Sequence, residues 1–222
     1  TTERKPLTVR DRLTQMTPEF KKALPGHVSP EKFVRTVQTA VQMNPDLLNA
    51  NRRSLFASCM RAAQDGLMPD GREAVLNIYS TKIKTPNGDQ WVPTVQYLPM
   101  VRGLIKTIRN SGEVAHLDAA AVYQKDEFTF ERGDDPKLVH KPYLGADEPG
   151  PIIAAYVVVR LNNGEIHREV MTRRDLNKVR EASKSGNGAN SPWVKWEDQM
   201  AIKSVIKRAE KLLPTSSDRL AR

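Results

Sequence analysis

The apolar positions along this chain follow two periods, taken up in blocks. Up to residue 28 the sequence is charged and broken by Pro6, Pro18 and Pro25, which predicts short helices over Val9 to Met16 and Pro18 to Leu24 in a mobile arm. Ser29 and Pro30 open a clearer helix to Met43 with Phe33, Val37 and Val41 on one face, and Leu55, Cys59 and Ala62 mark another that stops at Asp65 and Gly66. From Ala74 the period shortens: Val75, Leu76, Ile78, Tyr79 and Ile83 read as a strand, Pro86-Asn87-Gly88-Asp89 as its turn and Trp91 to Leu98 as the return. Pro99 to Ser111 is helical again, with Val101, Leu104, Ile105 and Ile108 on its apolar face and Gly112 as its stop. Strands are expected over Val114 to Gln124, Phe128 to Glu131 and Leu138 to Lys141, with an acidic surface loop from Asp134 to Gly150. Ile152 to Leu161 and Glu165 to Met171, joined at Asn162-Asn163-Gly164, form the strongest hairpin signal. Thr172 with Asp175 reads as a capping box for a polar helix to Lys184, followed by a flexible link over Ser185 to Asn190. Ser191 to Pro214 then reads as one long amphipathic helix whose core side is Val194, Ala201, Ile202, Val205, Ala209 and Leu212.

Together these elements predict an α+β fold in which antiparallel hairpins pack with several helices. The expected organisation is an N-terminal arm over 1–28, a single domain over 29–214 and a tail over 215–222. A length of 222 residues suffices for one good core. The single cysteine, Cys59, excludes an internal disulfide and fits a reducing compartment. No stretch approaches the roughly 18 consecutive apolar residues of a membrane span, and the N-terminus carries no apolar signal segment, so a cytoplasmic protein without a membrane partner is expected.

Charge changes the picture through its placement. A formal charge of +9 and an isoelectric point near 9.7 favour a polyanionic partner. On the last helix, Trp193, Trp196, Met200, Lys203 and Lys207 recur at spacings of three and four, with Lys211 one turn further on. Aromatic faces beside ammonium groups suit single-stranded nucleic acid, because every base has a π face and every nucleotide a phosphate. The same tryptophans could equally pack under another element, as large aromatics commonly do. A second row, Arg102, Lys106 and Arg109, has no acid interleaved, which favours phosphate contact over a solvated face of mixed sign. Arg173, Arg174, Lys178 and Arg180 give the capping-box helix a third basic surface. On the first hairpin, Lys82, Lys84, Trp91 and Tyr97 fit packing and edge solubility better than a nucleic-acid finger.

Motifs of catalysis are missing: there is no phosphate-binding Gly-x4-Gly-Lys-Ser/Thr loop, no GxGxxG turn and no HExxH. His27, His116, His140 and His167 are scattered over different elements. Asp70, with Asp135 and Lys137, resembles the metal-binding pattern of restriction-type nucleases and defines an alternative reading as a metal-dependent nuclease. Its spacing is long, and Pro136 is poorly suited to the central strand such a site needs. No helix-turn-helix spacing supports a sequence-specific regulator.

The run Gln96-Tyr97-Leu98-Pro99-Met100-Val101-Arg102-Gly103-Leu104-Ile105, with Arg109-Asn110-Ser111-Gly112-Glu113 after it, resembles the phage-derived RecT single-strand annealing proteins. So do Asp65-Gly66-Leu67 with Pro69, Asp126-Glu127-Phe128, Val170-Met171-Thr172-Arg173, and Pro192-Trp193 with Met200-Ala201-Ile202-Lys203-Ser204. The likeness runs from about Ser29 to Pro214; it departs at Pro99-Met100-Val101, where the family often has a Gly-aromatic pair, and lacks the family's acidic C-terminal extension. The resemblance implies a non-enzymatic recombination protein of phage or prophage that binds single-stranded DNA and anneals complementary strands in the bacterial cytoplasm without ATP. It further implies homo-oligomeric rings or helical filaments, a basic groove holding the annealed duplex intermediate, and a partner exonuclease that exposes the strands. No cofactor is then required, and magnesium would stimulate only by screening the strands. Arg102, Lys203 and Lys207 match basic positions of the family motifs; Lys106, Arg109, Arg173, Arg174, Lys178, Trp196 and Lys211 complete the expected DNA-binding set.

Overall fold

Five helices in this chain begin where a side chain, of Thr8, Ser29, Asn51, Thr172 or Ser191, accepts from an otherwise unpaired first-turn amide. In the computed structural model, which describes residues 8–85, 88–183, 188–189 and 191–213, the described residues form two compact units, with the division falling between Thr107 and Ile108.

In the first unit a Thr8 capping box opens α1 (Val9–Gln15) and α2 (Thr17–Ala23) follows at once. The Ser29 hydroxyl accepts from Lys32 N at 3.2 Å to start α3 (Pro30–Met43), and the Asn51 side chain accepts from Ser54 N at 2.9 Å to start α4 (Arg52–Gln64). Gly66, at φ 65°, then turns the chain out of α4 in a conformation that costs glycine little. The apolar faces of these four helices meet in one core, in which Phe20 and Phe33 pack at 5.2 Å between ring centroids. Leu13 and Phe20, from the sequence's N-terminal arm, are buried within it.

β1 (Ala74–Thr85) and β2 (Gly88–Pro99) form the expected antiparallel hairpin, with Ile78 opposite Val95. Two strands alone are marginal in water, and α4 supplies what the ribbon lacks. The Ser54 hydroxyl accepts from Val95 N at 2.9 Å, and the Ser58 hydroxyl, one turn on, donates to Val95 O at 2.9 Å. The expected hairpin turn falls in part on Pro86 and Asn87, outside the described residues. α5 (Val101–Asn110) begins where Met100 N donates to Glu73 O at 2.9 Å. Gly103 is required there, because a Cβ would lie 2.1 Å from that same carbonyl oxygen.

The second unit is built on an antiparallel sheet of order β3–β6–β7, from β3 (Val114–Tyr123), β6 (Ile152–Leu161) and β7 (Ile166–Thr172). Between β3 and β6 the chain makes a ribbon of β4 (Glu127–Glu131) and β5 (Lys137–Lys141). Phe128 and Leu138 of that ribbon pack against Val122, Ala154 and Tyr156. Asp126 pins the ribbon's base: it accepts from Tyr123 N at 2.7 Å and Tyr143 N at 2.8 Å, and meets His140 Nε2 at 3.0 Å. The opposite sheet face, with Ala155, Val157 and Val159 fully buried, is covered by α8 (Glu197–Glu210). Between β7 and α8 come α6 (Arg173–Ala182), opened by the expected Thr172 and Asp175 capping box, and α7 (Pro192–Lys195). The expected link over Ser185 to Asn190 and the tail over 215–222 lie largely outside the described residues.

One expectation needs correction. Ser191 to Pro214 is not a single helix: Trp196, at φ −139° and ψ 52°, separates α7 from α8. The break takes Val194 out of phase with α8 and leaves it 51% exposed; Leu212, in the turn after α8 ends at Glu210, is 67% exposed, while Ile206 and Leu213 are buried. It also parts two tryptophans that a continuous helix would place on one face: Trp193 is 3% exposed and Trp196 is 64% exposed.

Candidate nucleic-acid interface

β7 runs directly into α6, and α8 lies on the same sheet beside α6, so the two helices form the walls of a groove of about 600 Å³. Its floor is apolar, with Met171, Val179, Trp193 and Met200. Lys178 from α6 and Lys203, Lys207 and Lys211 from the α8 side line it. Lys203 and Lys207 lie four residues apart on α8, about 6 Å of helix rise, and Lys211 follows four residues on as its C-cap.

No ion pair joins Lys178, Lys203, Lys207 or Lys211 to a carboxylate among the described residues. Burial lowers the pKa of Lys203, and the positive charge of Lys207 lowers it further. Such a group gains most from an incoming anion, which supplies the counter-charge that the protein withholds. Asp175 also lines the groove, but its carboxylate is engaged by the Thr172 hydroxyl at 2.9 Å and the Thr172 amide at 3.1 Å; these bonds hold its pKa below the ordinary carboxylate value.

The other expected site residues fall into two groups. Arg173 is an anchor: it pairs with Glu197 at 2.9 Å and donates to Ile152 O at 3.3 Å, while Arg180 approaches the same Glu197 oxygen at 3.7 Å. Arg174 is exposed on α6, and Trp196 is exposed at the break ahead of α8. On α5, Arg102 and Arg109 are exposed, whereas the Lys106 ammonium is held by Glu73 at 2.7 Å and donates to Gly66 O at 3.3 Å. That carboxylate lies 33 positions upstream, so inspection of α5 alone does not reveal it.

Sequence reasoning missed Arg208, which lines the groove and pairs with Glu169 at 2.9 Å and Asp175 at 3.8 Å. The only signal was an acid at an inward position of β7, visible once the strand register is known. Of the residues in the nuclease-like pattern, Asp70 accepts from the amides of Arg72 and Glu73, each at 2.9 Å, and so closes a turn. Asp135 and Lys137 form an exposed ion pair at 3.3 Å. Among the described residues no three His, Cys, Asp or Glu side chains converge as metal ligands, and no helix is long and apolar enough to cross a membrane.

The structure is thus an α+β scaffold carrying a groove lined by lysines and apolar side chains. The model of the RecT family matches residues 31–222, and the chain belongs to that family, whose members are single-strand annealing recombination proteins. It is 37% identical over 201 residues to Protein RecT of Escherichia coli (strain K12), an alignment that covers 90% of this chain and 72% of that protein.

Proposed function

We propose that this chain binds single-stranded DNA along the α6–α8 groove and anneals complementary strands without ATP, working as a homo-oligomeric ring or helical filament. The observation that carries this reading is the row Lys203, Lys207 and Lys211 facing Lys178 across one groove without carboxylate partners among the described residues. Two DNA backbones repel each other, and a lysine groove lowers that barrier by displacing counterions while the bases remain free to pair. The role is that of a template rather than an enzyme: no cofactor is needed, and magnesium acts by screening the strands. The working place is the bacterial cytoplasm, where a partner exonuclease supplies the single strands.

The test is the salt dependence of oligonucleotide binding. Lys203→Ala with Lys207→Ala should lower the slope of log affinity against log salt by about 1.4, two contacts at about 0.7 each for a single strand. Annealing of two complementary labelled oligonucleotides should slow in parallel. An unchanged slope in a folded double variant would remove the groove from this reading.

A further inference from the structure

Glu169 is an acid where the sheet otherwise buries apolar side chains. Directly across the ladder stands Val157, fully buried, and opposed residues of an antiparallel pair share a face. The Glu169 side chain is 5% exposed, and a carboxylate so enclosed is strongly unfavourable unless paired. Its partner is Arg208, whose Nε lies 2.9 Å from Glu169 Oε1 in an ion pair while the side chain remains 47% exposed at the groove wall. Asp175 Oδ2 stands 3.8 Å from Arg208 Nη1. A buried ion pair is a poor stabiliser compared with packed apolar residues. It does fix direction: a guanidinium held at one edge presents the rest of its fork in one orientation, which the lysine row cannot do.

We propose that Arg208 is a forked phosphate ligand of the bound strand and that Glu169 is the positioning residue that aims it. The inference rests on the reading of the α6–α8 groove as the strand-binding surface. Glu169 contributes through geometry and against its own charge, since a carboxylate near a phosphate repels it. That opposition makes the sign of one substitution diagnostic.

The experiment measures binding of a labelled oligo-dT to the full chain over a salt series, with melting recorded for each variant. Glu169→Gln removes the repelling charge, so charge alone predicts tighter binding; positioning predicts binding several-fold weaker. Arg208→Lys keeps the charge but loses the fork, and should weaken binding several-fold with the salt slope unchanged. Arg208→Ala should lower the slope by about 0.7. Because Arg208→Ala leaves Glu169 buried and unpaired, the double variant with Glu169→Gln is made as well, and it should bind as Arg208→Ala does, or supply that measurement if the single variant does not fold. Glu169→Gln binding at least as tightly as the parent, or weakening binding further in the Arg208→Ala background, overturns the proposal. If Lys203→Ala with Lys207→Ala lowers affinity while Arg208→Lys does not, the groove stands and only this inference fails. If the parent chain does not bind the oligonucleotide, the groove reading itself fails.

Discussion

Trp193 and Trp196 are the same residue type three positions apart, and their environments set opposite roles. Trp193 closes the groove floor, so Trp193→Ala should cost about 3–5 kcal/mol of stability, read by denaturant unfolding. Trp196 is exposed, so Trp196→Ala should leave stability within about 0.5 kcal/mol. If its ring stacks on a base, the same change should weaken single-strand binding by about 1–3 kcal/mol with little effect on the salt slope; unchanged affinity would remove the stacking role. Lys203 predicts a pH effect of definite sign. Its pKa is lowered by burial and by Lys207, so the unfolded chain holds that proton to higher pH, and stability rises with pH between the lowered value and the ordinary one. On the proposed function strand affinity would run the other way, because phosphate needs the charged form. Affinity of the parent should therefore decline at lower alkaline pH than that of Lys203→Arg, whose charge persists. Cys59 is fully buried and its pKa is pushed up to about 12, so a thiol reagent at pH 8 should label it only on unfolding.

At the scale of elements, what was legible in the sequence was whatever depends on neighbours in the chain. The Thr172 capping box, the helix start at Ser29, the helix stop at Asp65 and Gly66, and the turn at Asn162-Asn163-Gly164 are local chemistry, and they lie where the pattern places them. The break at Trp196 was not legible, because the spacing of apolar residues runs through it; burial of Trp193 and Ala201 on one unit takes precedence over a continuous helix. The partner of Lys106 was hidden for a related reason, since Glu73 reaches α5 only once the chain has folded. Glu73 also explains a glycine: Gly103→Ala should cost about 1–3 kcal/mol by pressing a methyl group into the Glu73 carbonyl, a loss measurable by thermal melting. The β4–β5 ribbon carries an acid-sensitive joint at Asp126. Burial would raise the Asp126 pKa, but the amides of Tyr123 and Tyr143 together with His140 outweigh it, and the group ends below its ordinary value. Its contribution is fully present above about pH 3.9 and is lost as pH falls through the lowered folded value. Asp126→Asn should flatten that acid limb of the stability profile.

For the whole molecule, the expected outcome of adding a complementary strand is assembly together with pairing. Sedimentation with one oligonucleotide, then with its complement, should show larger species in the second case, and annealing rates should be equal with and without ATP. A strict ATP requirement would contradict the template mechanism. The lysine row has one more consequence. Lys203 sits half-buried beside Lys207, a crowding of like charge in a place that desolvates it, so in the free protein this region is locally frustrated. On the proposed function a bound strand would resolve the conflict, and the parent should melt at higher temperature with oligo-dT than without it. The same conflict can be removed from within: Lys203→Met should raise the stability of the free chain by roughly 0.5–2 kcal/mol and weaken its hold on DNA. If both effects appear, the least comfortable residue of the helix is the one that a guest strand relieves.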